Sequence, residues 1–412
     1  MSNHFRPQKK LERTYEKVIK QHLRENRQML FLMGPRQVGK TTTSLEASSL
    51  RRHHYYFNWD NQKHRSLIIE GQEAVAKHMH LDQLQKTLAI VVFDEIHKFS
   101  EWKNFLKGFF DVYGKFTKII VTGSARLDIL NFGGDSLMGR YFLYRLHPLS
   151  IREVIDTSLS HKEIRAPKKI SQEKLDTLLL FGGFPEPFIK NNMRFYNRWK
   201  KLRLKQLFQE DLQDITRTQE IAQLQTLTDL LKDQASQLTN FSDLASKVHV
   251  SSETIRRWVE TLKALYYCFS IQPWSVNISR SLLKEPKIFL WDWALVENKG
   301  QRMENFVASH LLKAIHLWTD QGLGEYGLYF LRDKEKREVD FLVTKDNKPW
   351  FLVEVKASSN SGISKSLYHF QSQTGAPHAF QIAFDLPFVK RNCFDHHEPI
   401  IVPASTFLSQ LV

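Results

Sequence analysis

A chain of 412 residues with a formal charge of +15 exceeds one ordinary core and predicts about two to four domains. Its 42% hydrophobic and 25% charged content is that of soluble globular proteins, and no apolar run approaches the roughly eighteen residues of a membrane span. The two cysteines, Cys268 and Cys393, show no metal-ligand spacing and the amino terminus has no apolar leader core, so a reducing cytoplasm without membrane insertion is expected. The positive balance favours polyanions, nucleic acid first among them.

Residues 1 to about 30 carry eight Lys/Arg against three Glu, with Leu11, Tyr15, Ile19 and Leu23 at near-helical spacing. This predicts an amphipathic helix packed on the domain that follows. Met29–Met33 then reads as a buried strand, and it runs into Gly34, Pro35, Arg36, Gln37, Val38, Gly39, Lys40, Thr41 and Thr42. The G-x-x-x-x-G-K-T pattern, set between a strand and a helix start, is a phosphate-binding loop. Its glycines let backbone amides and the helix amino terminus face an anion. Lys40 would reach the β- and γ-phosphates of ATP, and the Thr41 hydroxyl would hold Mg²⁺.

Tyr55–Asp60 predicts another strand, whose Asn58 and Asp60 come near the nucleotide if the sheet is wound as usual. The short apolar run Leu88–Phe93 predicts a parallel strand covered on both faces, and it ends in Asp94 and Glu95. At the carboxyl end of such a strand Asp94 fits a magnesium-holding carboxylate, and Glu95 fits the base that deprotonates an attacking water. Lys118–Ser124 again passes from apolar to polar. Thr122 or Ser124 would touch the γ-phosphate or its water, or else cap the next helix. Arg126 and Arg140 are candidates for an arginine stabilising transferred charge, within the chain or from a neighbouring copy in a homo-oligomer.

From 151 to 235 the pattern is helical, broken at Phe181–Glu186 by a double glycine followed by Phe-Pro. Lys190–Lys205 holds seven Lys/Arg and no acid, interleaved with Phe195, Tyr196 and Trp199. It reads either as a nucleic-acid groove or as a solvated helix burying Phe195 and Trp199; the second reading is preferred. Phe241–Glu260 resembles a helix-turn-helix. Leu244, Ala245 and Val248 would line its first inner face, and Ile255, Val259 and Leu262 its second. Ser252, Glu253, Arg256 and Arg257 would face outward, to contact DNA unless the unit serves only packing.

Near the carboxyl terminus, Glu338–Val343 and Trp350–Lys356 predict two strands joined by a polar turn. Alternation puts Glu354 and Lys356 on one face, and a hairpin brings Asp340 beside them. Carboxylates so placed would hold a divalent metal while the lysine activates water against a phosphodiester. Glu304 would add a third acid, and Gln371 or Gln373 would complete the set. The arrangement resembles the PD-(D/E)xK nuclease fold at Asp340, Glu354 and Lys356.

Taken with Phe93–His97, Thr122–Arg126, Leu146–Ser150 and Gly182–Glu186, the chain resembles a family of prokaryotic AAA+ ATPases whose carboxyl-terminal domain is related to PD-(D/E)xK nucleases. The resemblance implies an α/β chain: a P-loop AAA+ parallel sheet over 1–150, a helical lid over 151–235, a winged-helix module over 236–290 and an α/β nuclease-like domain over 291–412. It implies ATP and Mg²⁺ as cofactors and puts Ser124 at the sensing position, in place of asparagine. Sequence thus points to an ATPase that engages DNA, with a metal-dependent nuclease at its end. The alternative is a nucleotide-switched DNA- or protein-binding regulator built on an inactive nuclease-like scaffold.

Overall fold

In the computed structural model, which describes residues 11–49, 53–84, 86–123, 137–211, 220–275 and 285–412, strand β1 (Met29–Met33) is buried at every position. That fits its place inside a parallel sheet, where helices leave neither face to water. The chain divides into two compact units, Met1–His147 with Thr157–Leu159, and Pro148–Asp156 with Ser160–Val412.

The first unit is built on five parallel strands in the order β2 (His54–Asn58), β3 (Ala89–Asp94), β4 (Thr117–Gly123), β1, β5 (Tyr141–Arg145). Helix α1 (Thr14–Glu25) buries Tyr15, Val18, Ile19 and Leu23, the 3.6-residue stripe of its sequence, and packs against α2 (Lys40–Ser48). Helices α3 (Gln62–Glu70), α4 (Gln72–His78) and α5 (Trp102–Tyr113) complete the unit. α5 turns Trp102, Phe105, Leu106, Phe109 and Phe110 inward. Phe93 meets Phe109 edge-on at 5.5 Å and stacks on Phe57 at 5.6 Å, so an aromatic layer backs the strand that ends in Asp94. With β4 between β1 and β3, the ends of three strands converge where the loop after β1 begins.

The second unit opens with α6 (Ile151–Ile155), α7 (Gln172–Phe181), α8 (Pro185–Lys190) and α9 (Met193–Gln206). Gly182 and Gly183 separate α7 from α8 because the space is taken: a Cβ on Gly183 would lie 2.4 Å from Trp293 and 2.7 Å from the Leu149 carbonyl. Next come α10 (Ile221–Asp233), α11 (Phe241–Val248) and α12 (Ser252–Ala264). They share one core with β6 (Cys268–Pro273) and β7 (Lys287–Leu290) through Leu227, Leu244, Ile255, Trp258, Cys268 and Ile288.

The long helix α13 (Lys299–Asp320) is followed by β8 (Tyr326–Arg332), β9 (Glu338–Lys345), β10 (Lys348–Lys356), α14 (Lys365–Thr374), β11 (His378–Ala383), β12 (Ile400–Pro403) and α15 (Ala404–Ser409). Between β9 and β10, Asp346 and Asn347 both take positive φ, 49° and 63°, the twist that a two-residue hairpin turn requires. The sheet runs β12-β11-β10-β9-β8-β6-β7 without interruption across residue 290, since Gln272 and Pro273 of β6 pair with Tyr329 and Phe330 of β8.

Candidate functional site

The loop after β1 is shaped by three left-handed residues: Gly34 at φ 152°, Gln37 at 62° and Gly39 at 100°. Gly34 is required twice over, because a Cβ there would stand 2.3 Å from the Leu146 carbonyl oxygen. Gly39 is the cap of α2 and offers no side-chain acceptor, so the first amides of that helix are turned to the loop. Lys40 Nζ donates to the carbonyls of Gly34 and Pro35, each at 2.9 Å, and so spans the loop. Arg13, only 3% exposed, donates Nη1 to the Val38 carbonyl and Nη2 to that of His147, both at 2.6 Å. A buried guanidinium from the segment before α1 thereby ties the back of the loop to the chain after β5.

Three hydroxyls converge on the buried Asp94. Thr41 Oγ1 donates to Oδ2 at 2.9 Å and Tyr56 OH to the same oxygen at 2.7 Å, while Thr122 Oγ1 donates to Oδ1. Burial, then the Asp94 hydrogen bond, raises the Tyr56 hydroxyl well above its ordinary value, so it remains a donor. Thr41 Oγ1 and Asp94 Oδ2 are hard oxygens 2.9 Å apart, a pair suited to Mg²⁺. Glu95 takes a left-handed backbone, φ 56°, and its amide donates to the Thr122 carbonyl at 3.1 Å. Its carboxyl lies 3.6 Å from His97 Nε2 and 3.8 Å from Lys98 Nζ. Burial raises its pKa above the ordinary glutamate value, against the pull of Lys40 and Lys98.

The remaining candidates from the sequence are placed differently. Asn58 stands opposite Asp94 in the sheet register, whereas Asp60 pairs with Lys98 Nζ at 2.7 Å. Ser124 and Arg126 lie outside the described residues. Arg140 does not serve the phosphate loop of its own chain: its carbonyl accepts from Met29 N at the far end of β1, and its guanidinium grips both Asp111 oxygens at 2.8 and 2.9 Å. A five-residue strand separates it from the loop, roughly 16 Å at 3.3 Å per residue. Sequence reading missed Arg13 and Tyr56, whose partners are set by chain closure and sheet order, with no local pattern to mark them.

In the second unit, α11 and α12 bury Leu244, Ala245, Val248, Ile255, Val259 and Leu262, with Trp258 in addition. Glu253, Arg256 and Arg257 are exposed, and Ser252 is half-buried. On α9 the buried aromatic pair is Tyr196 and Trp199, not Phe195 and Trp199. The structure does bring Glu304, Asp340, Glu354 and Lys356 into one cluster. Glu304 Oε1 accepts from Lys287 Nζ at 3.0 Å, Asp340 Oδ2 accepts from Val355 N at 2.8 Å, and Glu354 Oε1 accepts from Lys356 Nζ at 2.7 Å. Among the described residues no three His, Cys, Asp or Glu side chains are grouped to hold a metal ion. A lysine ammonium, Lys287 Nζ, stands among Glu304, Glu338 and Asp340 at 3.0, 2.7 and 3.7 Å. Gln371 donates to the Ala376 and His397 carbonyls instead of joining the cluster.

With this geometry in place, residues 26–155 match the model of an AAA domain. This part of the chain is an AAA-type domain. Within it Lys40, Thr41, Asp94 and Glu95 stand at the carboxyl ends of β1 and β3, the two strands that flank β4, or just past them, where α/β sheets take their ligands. Beyond the AAA-type domain, residues 172–301 and 299–386 match two domains of unknown function, DUF8612 and DUF4143. An uncharacterized protein of Mycobacterium tuberculosis is 23% identical over 355 residues, 82% of this chain and 72% of its own, and one of Mycobacterium bovis gives the same figures. Among solved structures, the Walker-type ATPase of Pyrococcus abyssi is 16% identical, with a TM-score of 0.43 over 71% of this chain and 96% of its own. The Aeropyrum pernix Orc1 protein, solved in complex with DNA, is 14% identical, with a TM-score of 0.33 over 74% and 96%. No helix among the described residues is long and apolar enough to cross a membrane.

Proposed function

We propose that the chain binds ATP with Mg²⁺ at the loop Gly34–Thr42 and hydrolyses it, and that nucleotide state governs engagement of DNA by the second unit. One observation carries the ATPase reading: Thr41 hydrogen-bonds Asp94 beside Lys40, with the half-buried Glu95 next in sequence. The amides of Gly34, Arg36, Gln37, Val38, Gly39, Lys40, Thr41 and Thr42 line the phosphates, and Pro35, which has no N–H, contributes its ring and carbonyl to the loop. Lys40 exchanges the Gly34 and Pro35 carbonyls for phosphate oxygens. Thr41 and Asp94 would hold magnesium, which would supply charge neutralisation for the phosphates. Thr122, bonded to Asp94, keeps that carboxylate oriented and stands beside the γ-phosphate. Glu95 accepts the proton of the attacking water, a task suited to a carboxylate whose pKa burial has lifted.

Engagement of DNA is supported by the charge of +15 and by the order α10, α11, α12, then the antiparallel pair β6 and β7, which suits a winged helix. Exposed Arg256 and Arg257 on α12 would meet phosphates or bases. The run α13, β8, β9, β10, α14, β11 with Asp340, Glu354 and Lys356 adjacent supports a nuclease-like scaffold for the end of the chain. A cytoplasmic setting suits the two cysteines, both free and buried. The reading is tested by ATP binding and phosphate release. Glu95→Gln should bind ATP as the wild type does and lose turnover by about 10²–10⁴-fold. Lys40→Ala should lose ATP binding itself. Turnover unchanged in Glu95→Gln would remove Glu95 from the reaction.

A further inference from the structure

Lys287, the first residue of β7, keeps an ammonium whose side chain is only 4% exposed. Three carboxylates face it: Glu338 Oε1 at 2.7 Å and Asp340 Oδ1 at 3.7 Å from β9, and Glu304 Oε1 at 3.0 Å from α13. The buried Phe330 ring of β8 closes another side, its centroid 5.6 Å from Nζ. Glu338 is held in turn by Arg332, and Asp340 by the Val355 amide. Beside them Glu354 gives one oxygen to Lys356, while its Oε2 is buried without a hydrogen-bond partner among the described residues.

We infer that Lys287 is the resident cation of this cluster, an internal ammonium standing where a nuclease-like site would carry its divalent metal. A magnesium or manganese ion needs carboxylate oxygens converging on one point at about 2.0–2.2 Å. Here the oxygens of Glu304, Glu338 and Asp340 converge on Nζ, at hydrogen-bond and ion-pair distances. A second cation beside a buried ammonium would meet like charge in a medium that screens it poorly. The charge balance agrees: Glu304, Glu338, Asp340 and Glu354 face Lys287, Lys356 and Arg332, which already offset all but one of the four negative charges. Three carboxylates at 2.7, 3.0 and 3.7 Å favour the ammonium of Lys287 over the neutral amine. The scaffold therefore keeps the nuclease-like arrangement of Asp340, Glu354 and Lys356 with an ammonium in place of a divalent metal.

The inference rests on the contacts of Lys287 and is independent of the ATPase reading, so it is tested on the full chain without nucleotide. Mn²⁺ is titrated and the free ion followed by its paramagnetic resonance. The wild type should show no binding that Asp340→Asn removes. Lys287→Met should gain one Mn²⁺ site, tighter than any wild-type binding by about tenfold or more. Adding Asp340→Asn to that variant should abolish the site, and Mn²⁺ should raise the melting temperature of Lys287→Met but not of wild type. A wild-type Mn²⁺ site lost in Asp340→Asn would overturn the inference, as would a folded Lys287→Met that gains none. If Lys287→Met does not fold, the comparison of wild type with Asp340→Asn decides: equal Mn²⁺ binding upholds the internal ammonium, and unequal binding refutes it.

Discussion

Arg13 shows how much of a phosphate loop is held from outside its own motif. Its two charge-assisted hydrogen bonds, to the carbonyls of Val38 and His147, join positions 25 and 134 residues away in the chain. Arg13→Ala leaves both carbonyls without that donor and should destabilise the first unit by about 2–4 kcal/mol. It should also weaken ATP binding, because the backbone at Val38 loses its anchor. Urea unfolding and ATP titration check this; an unchanged midpoint would reduce Arg13 to a bystander. Gly34, Gly39, Lys40, Thr41, Asp94 and Glu95 could be read from sequence because a strand, a tight turn and a helix start leave a local pattern. Arg13, Tyr56 and Lys287 could not, since their partners arrive only when distant segments close. The raised pKa of Glu95 has a kinetic consequence. A base works only when deprotonated, so turnover should fall with acid through a pKa above the usual glutamate value. The pH profile of phosphate release reads this directly.

Helix α13 organises much of the second unit. His310 donates Nδ1–H to the Phe306 carbonyl at 2.7 Å and accepts from Ile151 N at 3.0 Å through Nε2, which fixes a neutral tautomer. Burial depresses its pKa to about 3. A depressed histidine binds fewer protons folded than unfolded, so its stability is present above about 6.5 and lost as pH falls toward 3. The loss should reach at most about 1.4 kcal/mol per pH unit, and urea midpoints of wild type and His310→Gln across this window measure it. A wild-type slope no steeper than that of His310→Gln would contradict it. One turn further, Lys313 pairs with Glu153 of α6 at 2.5 Å with both side chains buried. Lys313→Met should cost about 3–5 kcal/mol, because it strands the carboxylate. Helix α9 buries Trp199 as its periodicity predicts but takes a different aromatic partner. Tyr196, not Phe195, is buried with Trp199, because the Tyr196 hydroxyl approaches buried Asp292 at 3.5 Å and Arg203 lies over Phe184 at 3.7 Å. Distant partners chose the phase of that helix.

Across the chain, local signals carried the AAA-type domain and left the second unit less legible. A seven-stranded sheet that runs from β7 through β6 into β8 joins residues 268–290 to 326–403, and no sequence signal announces such pairing. The hairpin of β9 and β10 was legible, because strict alternation and a two-residue polar turn are local. The centre of the acid cluster was not, since Lys287 belongs to a strand far from the motif it completes. Positive charge predicts salt-dependent DNA binding: Arg256→Ala with Arg257→Ala should weaken affinity and flatten its salt slope by about one unit for each phosphate no longer neutralised. An unchanged slope would move the DNA surface elsewhere. The loop after β1 decides whether the chain binds ATP, and calorimetric titration of the purified chain with ATP in Mg²⁺ tests that most directly. One site per chain is predicted for the wild type and none for Lys40→Ala; a folded wild type that releases no binding heat and takes up no ATP would contradict it.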